Sequence, residues 1–213
     1  GNAGSGNLTL QAGRTITFGA GVDLNVKGDF TAAANNSSAQ SANRDAGNGD
    51  FFMGAASSIT TSGAITVTIS ASTGAFDAGD ITLGASIIST GAASFNVPTG
   101  RTISLGGDVT TSGGVVTFNG NSILTTDHTI ISGSNLVRFT GTLNGTGVGT
   151  ESLTIGADAV LNPSDLQVEG QVGMTKELEL LKVWGQTTIA TDNVKTVGAQ
   201  TYEGLVTLEI GRA

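Results

Sequence analysis

The stretch Leu8–Gly19, LTLQAGRTITFG, occurs a second time as Phe95–Gly106, FNVPTGRTISLG. Five positions are identical, four of them in a continuous Gly-Arg-Thr-Ile run, and most of the others exchange similar residues. The two copies begin 87 residues apart, which corresponds to about four turns of a coil near 22 residues. Repeats of that length are typical of architectures in which one supersecondary unit stacks on the next. The duplication therefore predicts a solenoid.

A second repeat supports the same coil length. Short motifs that contain Ser-Gly or Thr-Gly precede four predicted strands: Thr61–Gly63, Ser89–Gly91, Thr111–Gly113 and Ile131–Gly133. Their glycines lie 28, 22 and 20 residues apart, and Phe95, Phe118 and Phe139 follow at spacings of 23 and 21. In stacked coils these three rings are predicted to form an internal ladder. The alternative is a solvent-facing aromatic platform for sugars.

Apolar and polar residues alternate along much of the chain, as in Val22–Val26, Ile65–Ile69 and Val206–Ile210. This period predicts short strands with one buried face. The 33 glycines, and a charged fraction of 12% against about 25% in ordinary domains, favour tight turns rather than helices. We predict an all-β fold, a parallel β-helix with coils of about 20–23 residues and no significant helix, over 1–213 as a single segment. A β-sandwich is the alternative fold.

Two ranges interrupt the alternation. Residues 31–58 are predicted to form a loop excursion, and such loops often carry function, although a disordered flap fits the same composition. Its candidate partner-binding residues are Asn35, Asn36, Arg44, Asp45 and Asp50. Residues 161–182 include the most charged part of the chain and are predicted to mark a junction between two blocks of coils. A strand around Leu180 is the preferred interpretation there, and a short helix over Lys176–Lys182 is the alternative.

Charge and composition exclude several classes of function. The net charge is −8 and the nine basic residues are scattered, so no basic patch for nucleic acid is expected. No apolar run approaches the roughly 20 residues that span a membrane, so we expect no membrane insertion. Without cysteine the chain has no disulfide scaffold and no thiolate metal site. The sequence begins at Gly1 rather than Met, which suggests a mature segment or a piece of a longer protein.

The carboxylates suggest one enzymatic alternative, a β-helical lyase or glycoside hydrolase that acts on polysaccharides. Such enzymes use clustered carboxylates, and the candidates here are Asp77 with Asp80, and Asp45 with Asp50. Neither pair forms a dense constellation, and turn aspartates usually cap the backbone. The single histidine, His128, is predicted to lie in a surface turn.

No cofactor or metal site is expected. The glycine-rich pieces lack the Lys-Ser/Thr ending of a phosphate-binding loop, and the nonapeptide calcium repeat is absent. A third class of function is ice binding, which would use flat arrays of threonine. Thr15-x-Thr17 and Thr66-x-Thr68 fit that pattern, but Thr-x-Thr does not recur in every predicted coil.

The carboxyl-terminal part contains a more specific motif. Val183–Thr191 reads VWGQTTIAT and Thr196–Leu208 reads TVGAQTYEGLVTL. The second piece resembles the Gly-x-Gln-x-Tyr-x-Gly-x-Val repeat of filamentous-haemagglutinin-like adhesins, which are exported by two-partner secretion. The residues that match the repeat are Gly198, Gln200, Tyr202, Gly204 and Val206.

The resemblance implies a right-handed parallel β-helix in the extracellular shaft of a bacterial surface adhesin or fibre, with no catalytic residues to carry over. We therefore expect a non-enzymatic structural or adhesive protein at the cell surface. Its open ends are expected to stack end to end on copies of the same chain, giving a homo-oligomer or filament. A glycan or protein on a host or neighbouring cell is the other expected partner.

Overall fold

The computed structural model of the protein describes residues 6–39, 47–74 and 76–209. Within these ranges the chain forms 23 β-strands and no helix, which confirms the all-β prediction. None of the described residues therefore belongs to a helix that could cross a membrane. All pairings between the named strands are parallel.

The strands form three sheets. Sheet A contains, in order, β1 (Leu8–Gln11), β4 (Phe30–Ala34), β7 (Ile65–Ile69), β10 (Ala93–Asn96), β13 (Val116–Asn119), β16 (Leu136–Phe139), β19 (Asp165–Val168), β21 (Thr187–Ile189) and β23 (Val206–Leu208). Sheet B contains β2 (Ile16–Phe18), β5 (Gly47–Met53), β8 (Phe76–Leu83), β11 (Thr102–Leu105), β14 (Asn121–Leu124) and β17 (Leu143–Gly145). Sheet C contains β3 (Asp23–Val26), β6 (Ser58–Thr61), β9 (Ser86–Ser89), β12 (Val109–Thr111), β15 (His128–Ile131), β18 (Ser152–Ile155), β20 (Leu180–Val183) and β22 (Gln200–Tyr202).

Through the first six rounds the chain visits sheets A, B and C in turn, and we call each round a coil. Each new strand pairs with its counterpart in the neighbouring coils, which is consistent with a β-solenoid. The nine strands of sheet A mark nine coils, and eight spacings of about 4.8 Å correspond to a stack about 38 Å long.

Coil length varies more than the predicted 20–23 residues. In sheet A the successive register partners are Leu8, Phe30, Ile65, Ala93, Val116, Val137, Leu166, Thr187 and Val206, at intervals of 22, 35, 28, 23, 21, 29, 21 and 19 residues. Longer connections between strands account for the intervals of 35, 28 and 29. Because of these connections, the duplicated stretches lie three coils apart rather than four. In sheet B, Ile16 pairs with Phe51, Phe51 with Ile81, and Ile81 with Ile103.

The core is a column of inward-facing side chains contributed by all three sheets. Phe95, Phe118 and Phe139 lie inside it with at most 1% of their surface exposed. The ring centroids of Phe95 and Phe118 are 5.3 Å apart, and those of Phe118 and Phe139 are 4.8 Å apart, with interplanar angles of 16° and 12°. The three rings therefore stack in parallel inside the solenoid, and none of them offers a solvent-facing platform.

The Ser/Thr-Gly motifs mark the corner at which the chain leaves sheet C for sheet A. Thr61, Ser89, Thr111 and Ser132 are buried there. Each hydroxyl donates a hydrogen bond to a carbonyl of its own turn, as Thr111 does to Gly114 at 2.6 Å. A hydroxyl is needed at this buried corner because an unpaired carbonyl would be costly.

Both predicted interruptions differ from the structure in extent. Strand β4 covers all of 31–34, and β5 and β6 extend through much of 47–58, so the described part of the excursion is limited to 35–39. Alternation in β5 is concealed because Gly47 and Gly49 replace large apolar residues. Sheets A and C run unbroken through 161–182 by way of β19 and β20, whereas beyond β17 the third ladder continues only as isolated bridges at Val172 and Val194. No helix forms over Lys176–Lys182.

Candidate functional site

Three of the longer connections lie along one edge of the solenoid, where the chain passes from sheet A to sheet B. We call this the loop edge. The connection from β4 to β5 spans 35–46, that from β7 to β8 spans 70–75, and that from β10 to β11 spans 97–101. In repeat proteins, insertions that map to one face often mark the binding face. The loop edge is therefore the candidate binding face.

A groove of about 350 Å³ lies on the loop edge between the turn 97–101 and the next two coils. We call it the loop-edge groove, and its lining residues are Val97, Pro98, Thr99, Gly100, Arg101, Asn119, Gly120, Asn121, Thr140 and Gly141. The groove forms because a five-residue connection is followed by two short ones, at 120 and at 140–142, so that the turn 97–101 projects beyond the coils after it.

Glycine keeps the floor of the groove low. A Cβ at Gly120 would lie 2.3 Å from the Val97 Cγ2 atom, and the backbone there has φ +134°. A Cβ at Gly141 would lie 2.5 Å from the Gly120 carbonyl carbon. Side chains at these two positions are excluded by the close stacking of coils, so a ligand in the groove would meet exposed backbone.

The turn 97–101 sets the position of Arg101. The Arg101 N–H donates to the Pro98 carbonyl oxygen at 3.1 Å, and Gly100 has the φ of +83° that a type II turn requires at its third residue. The Arg101 guanidinium makes no hydrogen bond or ion pair with any described residue. By contrast, Arg138 pairs with Glu169 at 2.6 Å, and Lys182 lies 3.7 Å from the centre of the Trp184 ring.

Some polar atoms of the groove form hydrogen bonds within the protein, and others have no partner among the described residues. The Asn119 Nδ2 donates to Asn96 Oδ1 at 2.6 Å, which leaves the Asn119 Oδ1 without a partner among the described residues. The Asn121 Oδ1 accepts from the Thr142 N–H and hydroxyl at 3.2 and 3.1 Å, which leaves the Asn121 Nδ2 available. The groove therefore offers one amide acceptor, one amide donor and the unpaired guanidinium of Arg101.

Three of the predicted partner-binding residues, Asn35, Asn36 and Asp50, make hydrogen bonds within the protein. Asn35 is 1% exposed at φ 49°, and its Nδ2 donates to the carbonyls of Ser70 and Ala71 at 2.9 and 3.2 Å. The Asn36 Oδ1 accepts the N–H of Ser38 at 2.9 Å, so Asn36 closes a local turn. Arg44 and Asp45 lie outside the described residues. All of 35–39 lies on the loop edge, away from the coils that line the groove.

Two carboxylates of the enzymatic alternative, those of Asp50 and Asp80, hold neighbouring coils together. The Asp50 Oδ1 accepts the N–H of Asp80 at 2.9 Å, and the Asp80 Oδ1 accepts the N–H of Thr102 at 2.7 Å. Asp77 is exposed in β8. Within the part of the chain that the structure describes, no group of three or more His, Cys, Asp or Glu is placed to hold a metal ion.

The prediction that His128 lies in a surface turn is wrong, because it begins strand β15 and is 4% exposed. Its Nε2 lies 2.7 Å from the Leu105 carbonyl oxygen, which can only accept, so Nε2 carries the proton. Its Nδ1 lies 3.7 Å from the Asp108 Oδ1 and has no hydrogen bond. Sequence reasoning missed this burial because His128 follows Thr-Thr-Asp, a combination typical of turns.

Sequence reasoning also missed an outward column of hydroxyls on sheet A. Consecutive coils place Thr9, Thr31, Thr66, Ser94 and Thr117 in one register column. The unequal coil lengths conceal this column until the strands are aligned on their buried residues. Beside it stand Gln11, Ala33, Thr68, Asn96 and Asn119, so the second column is not threonine-rich.

Comparison with known proteins gives no relative for this chain. No protein-family model matches the sequence, and no curated protein and no solved structure matches it significantly. The case for a function therefore depends on the geometry of the solenoid and its loop edge.

Proposed function

We propose that the chain is a non-enzymatic shaft segment of an extracellular bacterial adhesin or surface fibre, folded as a closed, right-handed parallel β-helix. The observation that carries this proposal is the unbroken nine-strand sheet A, in which each coil pairs only with the coils beside it. Such one-dimensional stacking gives an extended rod whose length grows with every repeat. A rod of this kind suits a protein that holds a binding surface away from the cell.

Contacts between successive coils support a mechanical role. Backbone ladders run along all three sheets, and the Phe95–Phe118–Phe139 stack reinforces the centre of the core. At the corners, side-chain oxygens of one coil accept backbone N–H groups of the next, as Asp29 does from Ala64 at 2.8 Å and Asp165 from Gln186 at 2.7 Å. Each coil is thus tied to the next by main-chain and side-chain bonds.

The last described coil supports end-to-end stacking. Val206 and Leu208 continue the inward register of Thr187 and Ile189, yet they are 37% and 61% exposed. No described residue packs over strand β23, so its apolar side chains and its outer backbone edge face solvent. Unpaired parallel edges invite further pairing. We propose that a second copy of the chain pairs here, extending the solenoid into a filament.

Sedimentation velocity and electron microscopy test the assembly. We expect concentration-dependent rods in the native chain and monomers in Leu208→Asp, because a charge on the inward face opposes stacking. Thr207→Asp is the matched control, since Thr207 lies between the same two residues on the opposite face. A native chain that stays monomeric at high concentration would contradict the assembly.

Cell binding and polysaccharide turnover test the adhesive role. We expect the native chain, displayed on beads, to bind cells and to leave polysaccharides intact. Turnover of a polysaccharide that Asp77→Asn abolishes would replace the adhesive proposal with the enzymatic one. Asp77 is the suitable position because, unlike Asp50 and Asp80, it caps no neighbouring coil in the described structure.

A further inference from the structure

We propose that the loop-edge groove binds a carboxylated saccharide, with the Arg101 guanidinium contacting the carboxylate. This inference rests on the proposed adhesive function and names the chemical class of its partner. The Arg101 guanidinium lines the partly open groove, and its five N–H donors have no acceptor among the described residues. A planar guanidinium fork matches a planar carboxylate in a bidentate pair.

Neutral hydrogen-bond donors and acceptors line the groove beside Arg101. Sugar hydroxyls both donate and accept, so they need donors and acceptors placed side by side. The groove supplies the free Asn119 Oδ1, the free Asn121 Nδ2 and the Thr99 hydroxyl, which has no bond within the described residues. The Pro98 ring and the Val97 side chain add a small apolar wall for the C–H groups of a sugar ring.

The number of charges in the groove favours a carboxylated sugar over a polyphosphate or a nucleic acid. Arg101 is the one cation among the described residues that line the groove, so it can neutralise one carboxylate per bound ring. Polyphosphates and nucleic acids carry a charge on every phosphate and are bound through several cations, which the described lining of the groove does not supply. The glycine floor at Gly120 and Gly141 leaves backbone groups within reach of the ligand.

Isothermal titration with defined oligosaccharides tests the site. Oligogalacturonate and its fully methyl-esterified form carry the same rings and differ in the carboxylate charge, so their comparison isolates the Arg101 contact. We expect the native chain to bind the acid at least about tenfold more tightly than the ester, the ratio expected when one charged hydrogen-bonded contact is lost. Equal binding of the two forms, or no binding of either, would overturn the proposal.

Two variants locate the contact. Arg101→Gln removes the guanidinium, and we expect it to lower affinity for the acid to that for the ester. Lys27→Gln makes the same change of charge at an exposed corner of another edge, and we expect it to bind as the native chain does. If Arg101→Gln binds the acid as tightly as the native chain does, the groove is not the binding site. If both variants lose the same affinity for the acid, the effect is one of overall charge, and the proposal is rejected as well.

The same variants separate this inference from the adhesive function. If cells bind and Arg101→Gln binds them equally well, the adhesive role stands and the groove is not its binding site. If oligogalacturonate binds through Arg101 but no cell does, the saccharide site stands and the adhesive role fails. Arg101 is half-buried in the turn 97–101 and is not among the apolar residues of the core, so near-native thermal unfolding of Arg101→Gln is the folding control.

Discussion

Removing the central ring of the phenylalanine stack should weaken the solenoid more than any change at an exposed phenylalanine. Phe118 is fully buried, and it stacks on Phe95 at 5.3 Å and on Phe139 at 4.8 Å. Truncating a buried phenylalanine to alanine costs about 3–5 kcal/mol in the free energy of unfolding. Each stacked pair contributes about 0.5–1.5 kcal/mol beyond burial. We therefore expect Phe118→Ala to lower the free energy of unfolding by an amount near the upper end of the range of about 3–5 kcal/mol.

Urea unfolding, followed by circular dichroism, measures this difference. Phe52→Ala is the matched control, because Phe52 lies on the outward face of sheet B and is 43% exposed. We expect it to cost less than about 1.5 kcal/mol. Similar losses in the two variants would refute the inward placement of the stack.

Hydrogen exchange adds a spatial test of the same variant. In a solenoid each coil contacts only its neighbours, so a cavity at Phe118 should lower protection mainly in strands β10, β13 and β16. Strands β3 and β6, several coils away, should keep nearly native protection at low denaturant. A uniform loss of protection over the whole chain would show that the coils unfold as one cooperative unit instead.

Two further predictions concern the corners. Gly120→Ala should lower the free energy of unfolding by about 1–3 kcal/mol in urea titrations, because it places a Cβ at φ +134° and against Val97. Gly19→Ala, which places its Cβ in open space, should leave the free energy of unfolding almost unchanged, and equal losses in the two variants would contradict the glycine floor. Burial of Glu151 raises its carboxyl pKa, but hydrogen bonds from Thr146, Thr150 and Gly147 outweigh this and hold the pKa below its usual 4.5. Glu151→Gln should therefore be less stable than the native chain at pH 7, and the difference should narrow as the pH falls below about 4.5; a gap constant down to pH 3 would contradict this.

The sequence predicted those features of the fold that depend on local pattern. Alternation of apolar and polar residues identifies strands such as Ile65–Ile69, and the spacing of Phe95, Phe118 and Phe139 reflects three successive coils that are almost equal in length. The Ser/Thr-Gly motifs were visible for a physical reason, since a buried corner needs a hydroxyl to pair with its own turn.

Register across unequal coils could not be predicted in this way. The connection 35–46 lengthens one coil without leaving any periodic signal, and this conceals both the hydroxyl column of sheet A and the true separation of the duplicated stretches. The burial of His128 and the lack of a partner for the Arg101 guanidinium within the described ranges depend on which residues meet across coils. Such contacts follow from register, so single-sequence patterns predicted the strands but not the groove.

The duplicated stretch shows how a site can arise on a uniform scaffold. In sheet B, Ile16 and Ile103 occupy the same register position, as the aligned sequences suggest. In sheet A, however, the register position of Phe95 is occupied by Leu10 and not by Leu8, with which Phe95 aligns in sequence. The second copy therefore uses two more residues than the first between the two sheets. Those extra residues make the turn 97–101 project, and the projection creates the groove that Arg101 lines. Arg14, in the shorter copy, instead lies against Gly47 of the next coil. The same Gly-Arg-Thr-Ile run thus gives an arginine packed against the next coil in one place and a candidate ligand contact in the other, and turn length rather than residue identity decides which.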